Sequence, residues 1–403
     1  MTGLDRTQIE RIFREHYGRA VATLVRQFRS IDLAEESVQD AFASALQRWP
    51  ATGLPPSPAG WIITTARNRA IDHLRRESSR DERQAAAIQM SDASCEEDTP
   101  VSDDRLLLMF TCCHPALALN VQVALTLRLL GGLSTPEIAR AFMVPEATMA
   151  QRIVRAKAKI RDAAIPYRIP DAQELPTRIR AVLAVIYLIF NEGYSASAGD
   201  QLIREDLCDE AVRLARVLAE LMPRDSETLG LLALLLLIDA RRNARIGPNG
   251  MPLLLSEQNR SLWNRSRIAE GQWLLSECVR RNEPGPYQLQ AAINAVHSDA
   301  PDIASTDWRQ IVTLYDHWML LDPNPLIALN RAVAVAELEG PARGLELVDA
   351  LALNHYHLFH AIRADLLRRL GRSTEATAAY DAAIERSENM KEREFLLSRR
   401  NQM

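Results

Sequence analysis

Leu133 to Arg161 is the stretch that most limits what this chain can fold into, because it reads as two short helices joined by a tight turn. Ser134 and Glu137 have the S-x-x-E spacing of a capping box, which satisfies two backbone amides at a helix start. The first helix then runs from Pro136 to Phe142, and the chain breaks at Met143 and Val144. Pro145 falls where a second helix takes its first residue, a position that tolerates a missing amide proton. Beyond it, Met149, Ile153, Ala156 and Ile160 recur at spacings of four, three and four, a single buried stripe. Thr148, Gln151, Arg152, Arg155 and Lys159 fall on another side. Between Pro145 and Arg161 five Lys or Arg stand against one acid, Glu146. A helix-turn-helix places such a helix in the major groove, where base edges carry a readable donor and acceptor pattern. Phosphate neutralisation drives most nucleic-acid affinity, so this local excess matters more than the chain's net charge of -4.

The remaining sequence fits an all-α protein. Ala, Leu and Arg dominate, aromatics are 5% of the 403 residues, and alternation of strand type is scarce. The longest apolar runs, Ala181 to Phe190 and Leu231 to Ile238, fall short of the about 20 residues that cross a bilayer. The amino terminus lacks the apolar core of a signal peptide. The expectation is a cytoplasmic protein with no membrane contact. The five cysteines (Cys95, Cys112, Cys113, Cys208, Cys278) are too sparse for a disulfide framework, and Cys112-Cys113-His114 has no second ligand pair to complete a metal site. His355, His357 and His360 cluster without a third-ligand motif. No nucleophile and base pairing, phosphate-cradling loop or metal constellation stands out. The chain is therefore expected not to be an enzyme and to need no cofactor and no metal.

Composition divides the chain into blocks, 1-83, 84-104, 105-168 and 169-403. The second holds six acids (Asp92, Glu96, Glu97, Asp98, Asp103, Asp104) and no Lys or Arg, which marks a flexible acidic linker. Pro166, Pro170 and Pro176 punctuate the start of the last block, since proline and its predecessor disfavour helix continuation. Within that block Ala332, Val335, Gly344, Val348 and Leu351 are matched 32 residues later by Ala364, Leu367, Ala376, Tyr380 and Ala383. A partial copy is Ala211, Ala215, Leu218 and Pro223, followed by Ala233 and Leu236. Small and apolar positions at this period are those of tetratricopeptide-type helical hairpins, which stack into a solenoid with a concave binding face.

In the first block Asp32 and Glu35 have another capping-box spacing, opening a helix expected to reach Trp49 with Val38, Phe42, Ala45 and Trp49 inward. Pro55, Pro56 and Pro58 mark a loop. A further helix begins near Ala59 and reaches Arg76, with Ile63, Ala66, Ala70 and Leu74 inward and Trp61 as core. Asn191 and Glu192, just after an apolar run, read as turn residues.

The run AEESVQDAFASALQRW, then PAGWIITTARNRAIDHLRR, then LTLRLLGGLSTPEIARAFMVPEATMAQRIVRAKAKIR resembles the two conserved domains of bacterial extracytoplasmic-function RNA polymerase sigma factors. The resemblance covers about Phe13 to Arg161, and IFNEGYSAS at 189–197 resembles the long tetratricopeptide-like extension of one group of them. What it implies is a factor that binds core RNA polymerase, through its β′ and β subunits, and promoter DNA, without chemistry of its own. Glu36, Gln39 and Asp40 become candidate contacts to the β′ subunit. Asn68, Arg69, Asp72, Arg75 and Arg76 become candidates for the minus-ten element, where a base is extruded and captured. Thr148, Gln151, Arg152, Arg155, Lys157 and Lys159 become candidates for the minus-thirty-five element, with Arg152, Arg155 and Lys157 as phosphate anchors. Ala147 and Ala150 are more apolar than the family's usual residues there. The implied extension modulates activity and takes a protein effector. A one-component helix-turn-helix regulator with a solenoid sensor is the competing assignment, and it leaves the signature between Asp32 and Arg76 without a use.

Overall fold

The structure is a computed structural model that describes residues 6–78, 102–142, 144–171, 173–196, 202–248 and 250–402. Among the described residues it is built of α-helices and three short 3-10 turns, with a single isolated bridge between Ile246 and Pro252 and no strand. The all-α expectation holds. The chain forms two compact units, Met1–Ile186 and Tyr187–Met403.

In the first unit, α1 (Arg6–Phe28), α2 (Ile31–Thr52) and α3 (Pro58–Ser78) pack on one another around Leu24, Val38, Ala41, Trp49, Ile62, Ala66 and Ala70, all at most 2% exposed. Helix α2 starts two residues earlier than its capping-box spacing predicts. Ser30 is the cap, its hydroxyl accepting from the Leu33 amide at 3.3 Å, so Asp32 lies inside the first turn and Glu35 is freed for another task. Helix α2 also continues through Pro50 and closes where Gly53, at φ 80°, donates to the Trp49 carbonyl. In α3 the inward residue is Ile62, with Ile63 and Leu74 only half-buried, because Trp61 seats edge-on against buried Trp49 at 5.2 Å and sets the helix rotation.

The second half of this unit holds α4 (Ser102–Cys112), α5 (Leu119–Leu129), α6 (Thr135–Ala141) and α7 (Glu146–Asp162). The acidic linker expected over 84–104 lies outside the described residues up to position 101. Its last three residues are the first turn of α4, and Asp104 is buried with its carboxylate on Arg26 of α1 at 3.0 Å. Cys95 also lies outside the described residues. Cys112 and Cys113 are buried free thiols, and burial pushes the Cys113 thiol up to about 12. Helix α1 packs on α4 and α5 as well as on α2 and α3. Gly18 makes this possible. A Cβ at that position would stand 2.6 Å from the Leu130 carbonyl oxygen, so only a residue without a side chain allows the approach.

Helix α8 (Leu175–Tyr194) carries Asn191 and Glu192 in its last turn; they are helical residues, and Glu192 pairs with Arg204 at 3.1 Å. The second unit continues as α9 (Glu205–Leu221), α10 (Ser226–Asp239), α11 (Arg265–Arg281), α12 (Pro286–Asp299), α13 (Trp308–Leu321), α14 (Pro325–Glu339), α15 (Pro341–Asp349), α16 (His357–Arg369), α17 (Ser373–Arg386) and α18 (Met390–Asn401). From α13 onward each helix packs chiefly on its neighbours in sequence, which is the contact pattern of a stacked-hairpin array. Helix α10 is leucine-rich on every face, so it must be covered on every face, and α9, α11 and α12 surround it. The 32-residue repeat corresponds to the hairpins α14–α15 and α16–α17. Ala332, Val348, Ala364, Leu367, Ala376, Tyr380 and Ala383 share one buried cluster, with Leu351 at its edge. A Cβ on Gly344 would stand 2.4 Å from the Ala336 Cβ, which shows how closely α14 and α15 approach. The partial copy maps to α9–α10, with Ala211, Ala215, Leu218, Ala233 and Leu236 buried.

His297, in α12, gives this unit a pH response. Burial first, then the charges of Arg241 and Arg260, lower its pKa from 6.5 to about 3. The folded unit therefore binds fewer protons than the unfolded chain in acid, and stability that is complete above about pH 6.5 is lost as pH falls toward 3. Chemical denaturation of this unit at pH 5 is expected to give a stability about 2 kcal/mol below that at pH 8. His297→Gln should flatten that difference; an equally steep variant would rule the residue out as its source.

Candidate nucleic-acid interface

The helix-turn-helix is built as its residue spacing predicts. Ser134 donates from its backbone amide to Glu137 Oε2 at 2.7 Å, and the Glu137 amide donates back to Ser134 Oγ at 3.4 Å. Burial works against the Glu137 charge, but the Ser134 hydrogen bonds and the Arg14 guanidinium outweigh it and hold the carboxyl below its ordinary range. Pro145 is the cap residue of α7 rather than its first helical one. Met149, Ile153, Ala156 and Ile160 form the buried stripe of α7. On the other side Thr148, Gln151 and Arg155 are exposed and Arg152 is half-exposed, a continuous polar and cationic surface. Lys159 is exposed, and its ammonium donates to the Ala116 carbonyl.

Lys157 sits elsewhere. Its ammonium points at α2, onto Asp32 Oδ1 at 2.9 Å and onto Glu35, and its side chain is only 15% exposed. Burial alone would lower the lysine pKa; the two carboxylates reverse that and hold it above the ordinary value. Its spacing shows why: position 157 is four residues from Ile153 and three from Ile160, at the rim of the buried stripe.

On α3, Asn68, Arg75 and Arg76 are exposed, whereas Arg69 and Asp72 are half-buried. Arg69 Nη2 donates to Ser44 Oγ of α2 at 3.3 Å. The α2 trio is also in place: Glu36 and Gln39 are exposed, and Asp40 is half-exposed. His73 of α3 bridges to this trio, with Nε2 3.1 Å from Asp40 Oδ2 and Nδ1 3.7 Å from Glu36 Oε1. The acidic face of α2 and the cationic end of α3 are thus fixed in register.

Glu35, whose spacing suggests a capping role, instead bridges three helices. It is 4% exposed and binds three partners: Arg128 Nε of α5 donates to Oε1 at 2.7 Å, the Tyr17 hydroxyl donates to the same oxygen at 3.4 Å, and Lys157 of α7 meets Oε2. A signal existed. Glu35 is four residues after buried Ile31 and three before buried Val38, so it lies on the inward stripe of α2. With Arg14–Glu137 and Arg26–Asp104, these pairs join the first helical module to the helix-turn-helix module in one unit.

Three family models match the chain. Sigma-70 region 2 covers residues 12–80, sigma-70 region 4 covers 107–160, and a family of unknown function covers 178–279. An uncharacterized protein of Rhizobium meliloti is 45% identical over 391 residues, spanning 94% of this chain and 91% of that protein. A probable ECF RNA polymerase sigma factor, SigI of Mycobacterium tuberculosis, is 29% identical over 167 residues, 40% of this chain and 57% of that one. No solved structure matches.

Proposed function

The chain belongs to the extracytoplasmic-function type of sigma factors, in a form with a long helical extension, and from that premise we propose how its surfaces divide the work of promoter-directed initiation. Thr148, Gln151, Arg152 and Arg155 read the minus-thirty-five element, with Lys159 on a flanking phosphate. Asn68, Arg69, Asp72, Arg75 and Arg76 engage the minus-ten element. Glu36, Gln39 and Asp40 dock on the β′ subunit of core polymerase, and the β subunit holds the second module. The observation that carries this division is the exposure of two separate polar faces, on α7 and on α2–α3, each backed by its own buried stripe.

The two elements lie about 25 base pairs apart by their names, some 80 Å of duplex at about 34 Å per turn. The packed first unit holds α1 against Leu130 and Lys157 against Glu35, so both faces reach a promoter only after the modules part. The packed form is then a resting state, and Lys157 becomes a phosphate anchor on release. The extension modulates this step, as its size and stacked hairpins favour, and takes a protein effector. The factor works where its polymerase is, in the cytoplasm; among the described residues no helix is long and apolar enough to cross a membrane.

Run-off transcription with purified core polymerase tests the reading. The full chain is expected to yield promoter-dependent transcripts. Glu36→Lys with Asp40→Lys should weaken core binding by about tenfold or more, since two favourable charges become repulsive. A chain ending at Arg168 should change the transcript yield. Core binding that survives both reversals would remove α2 as the docking helix, and an unchanged yield on truncation would remove the extension from regulation.

A further inference from the structure

The second unit carries a half-open cavity of about 530 Å³, a size that suits a small organic ligand. Its walls come from the end of α8, the segment after α10, and α14, α16 and α18. Leu253, Leu358, Ile362 and Phe395 give it an apolar side, and Arg241 and Arg245 line another part.

The charges along this wall divide into satisfied and unsatisfied ones. Arg369 pairs with Glu337, Arg399 with Glu257, Asp365 with Arg368, and Glu392 with His357. Arg242, next in sequence to Arg241, is neutralised by Asp239 and Asp209. Arg241 and Arg245 have no carboxylate partner among the described residues. Arg241 is 9% exposed and donates from Nη2 to Asn294 Oδ1 at 2.5 Å, while Arg245 donates from Nη2 to Ser195 Oγ at 3.2 Å and stacks on the Tyr194 ring at 4.2 Å. Two further polar atoms of the lining, Arg241 Nε and Gln258 Oε1, are buried without a hydrogen-bond partner. A buried cation and orphaned polar atoms are costly unless something compensates them. An oxyanion matches a guanidinium pair, and an apolar body matches the opposite wall.

We propose that this cavity is a binding site for an amphipathic organic anion, its carboxylate or phosphate head held by Arg241 and Arg245 and its hydrocarbon body lying against Leu253, Leu358, Ile362 and Phe395. The cavity does not require polymerase or DNA to be occupied, so binding is read on the full chain alone.

Isothermal titration with octanoate, octyl phosphate and 1-octanol tests the site and separates the two head groups. At least one anion is expected to bind, and about tenfold or more tighter than the alcohol, the contrast that a charge-assisted contact gives. Whichever anion binds better identifies the head. Arg245→Gln, at a half-buried position whose loss leaves the core intact, should bring the preferred anion down to the alcohol's affinity. Leu358→Trp, filling the cavity from a 40% exposed wall position, should abolish binding of all three. Circular dichroism establishes that both variants fold; if one does not, the other decides. Equal affinity for anion and alcohol, no binding of either anion, or anion binding unchanged in the folded variants would each overturn the proposal.

Discussion

Replacing Arg152 and Arg155 together by glutamate is expected to cut transcription from a cognate promoter by on the order of a hundredfold, because two base or phosphate contacts worth about 1–3 kcal/mol each are lost and two repulsions replace them. Both side chains lie on the outward side of α7, away from Met149, Ile153, Ala156 and Ile160, so the module keeps its core. Affinity for core polymerase should stay within a factor of about two, since the proposed docking face is on α2. Footprinting of the assembled holoenzyme and run-off yield read the two effects separately. A double variant that still initiates at the wild-type rate would take α7 out of promoter recognition.

The second large effect concerns Glu35. Exposed pairs such as Arg14–Glu137 are each worth about 0–1 kcal/mol, whereas stripping one partner from a buried ion pair costs about 3–5 kcal/mol. Glu35, like Asp104, is a buried member of the set, and it is the point where α2, α5 and α7 meet. Glu35→Gln keeps the volume, strips Arg128 of its counter-charge and leaves Lys157 with Asp32 alone. The modules are expected to come apart in solution. Spin labels at Gln47 of α2 and Val154 of α7, both exposed, should show a longer and broader distance distribution than the wild type. A distribution identical to wild type would mean that apolar packing around Gly18 and Leu130, and not this charge cluster, holds the modules together.

What could be read in the sequence was whatever repeats locally. The buried stripe of α7 and the Ser134–Glu137 cap follow from spacings of three and four, and the 32-residue repeat follows from small residues that recur wherever paired helices touch. Rotation of α3 was not legible by a single residue, because the Trp61–Trp49 contact that fixes it joins two helices. The cap of α2 was misplaced for a related reason. Asp32 and Glu35 have the right spacing, but Ser30 reaches the amide first and Glu35 finds stronger partners at Arg128 and Lys157, distant in the chain. The cavity had no local signature, since its arginines and most of its apolar wall, Leu358, Ile362 and Phe395, are separated by more than a hundred positions.

Glu137 splits its two oxygens between two neighbours: Oε2 takes the Ser134 amide and hydroxyl, while Oε1 takes Arg14 of α1 at 3.0 Å. Losing Arg14 empties one oxygen and leaves the other engaged. The helix-turn-helix module is thus self-sufficient at its entry turn, so undocking from its neighbour would hand the proposed promoter contact an intact reader instead of a frayed one.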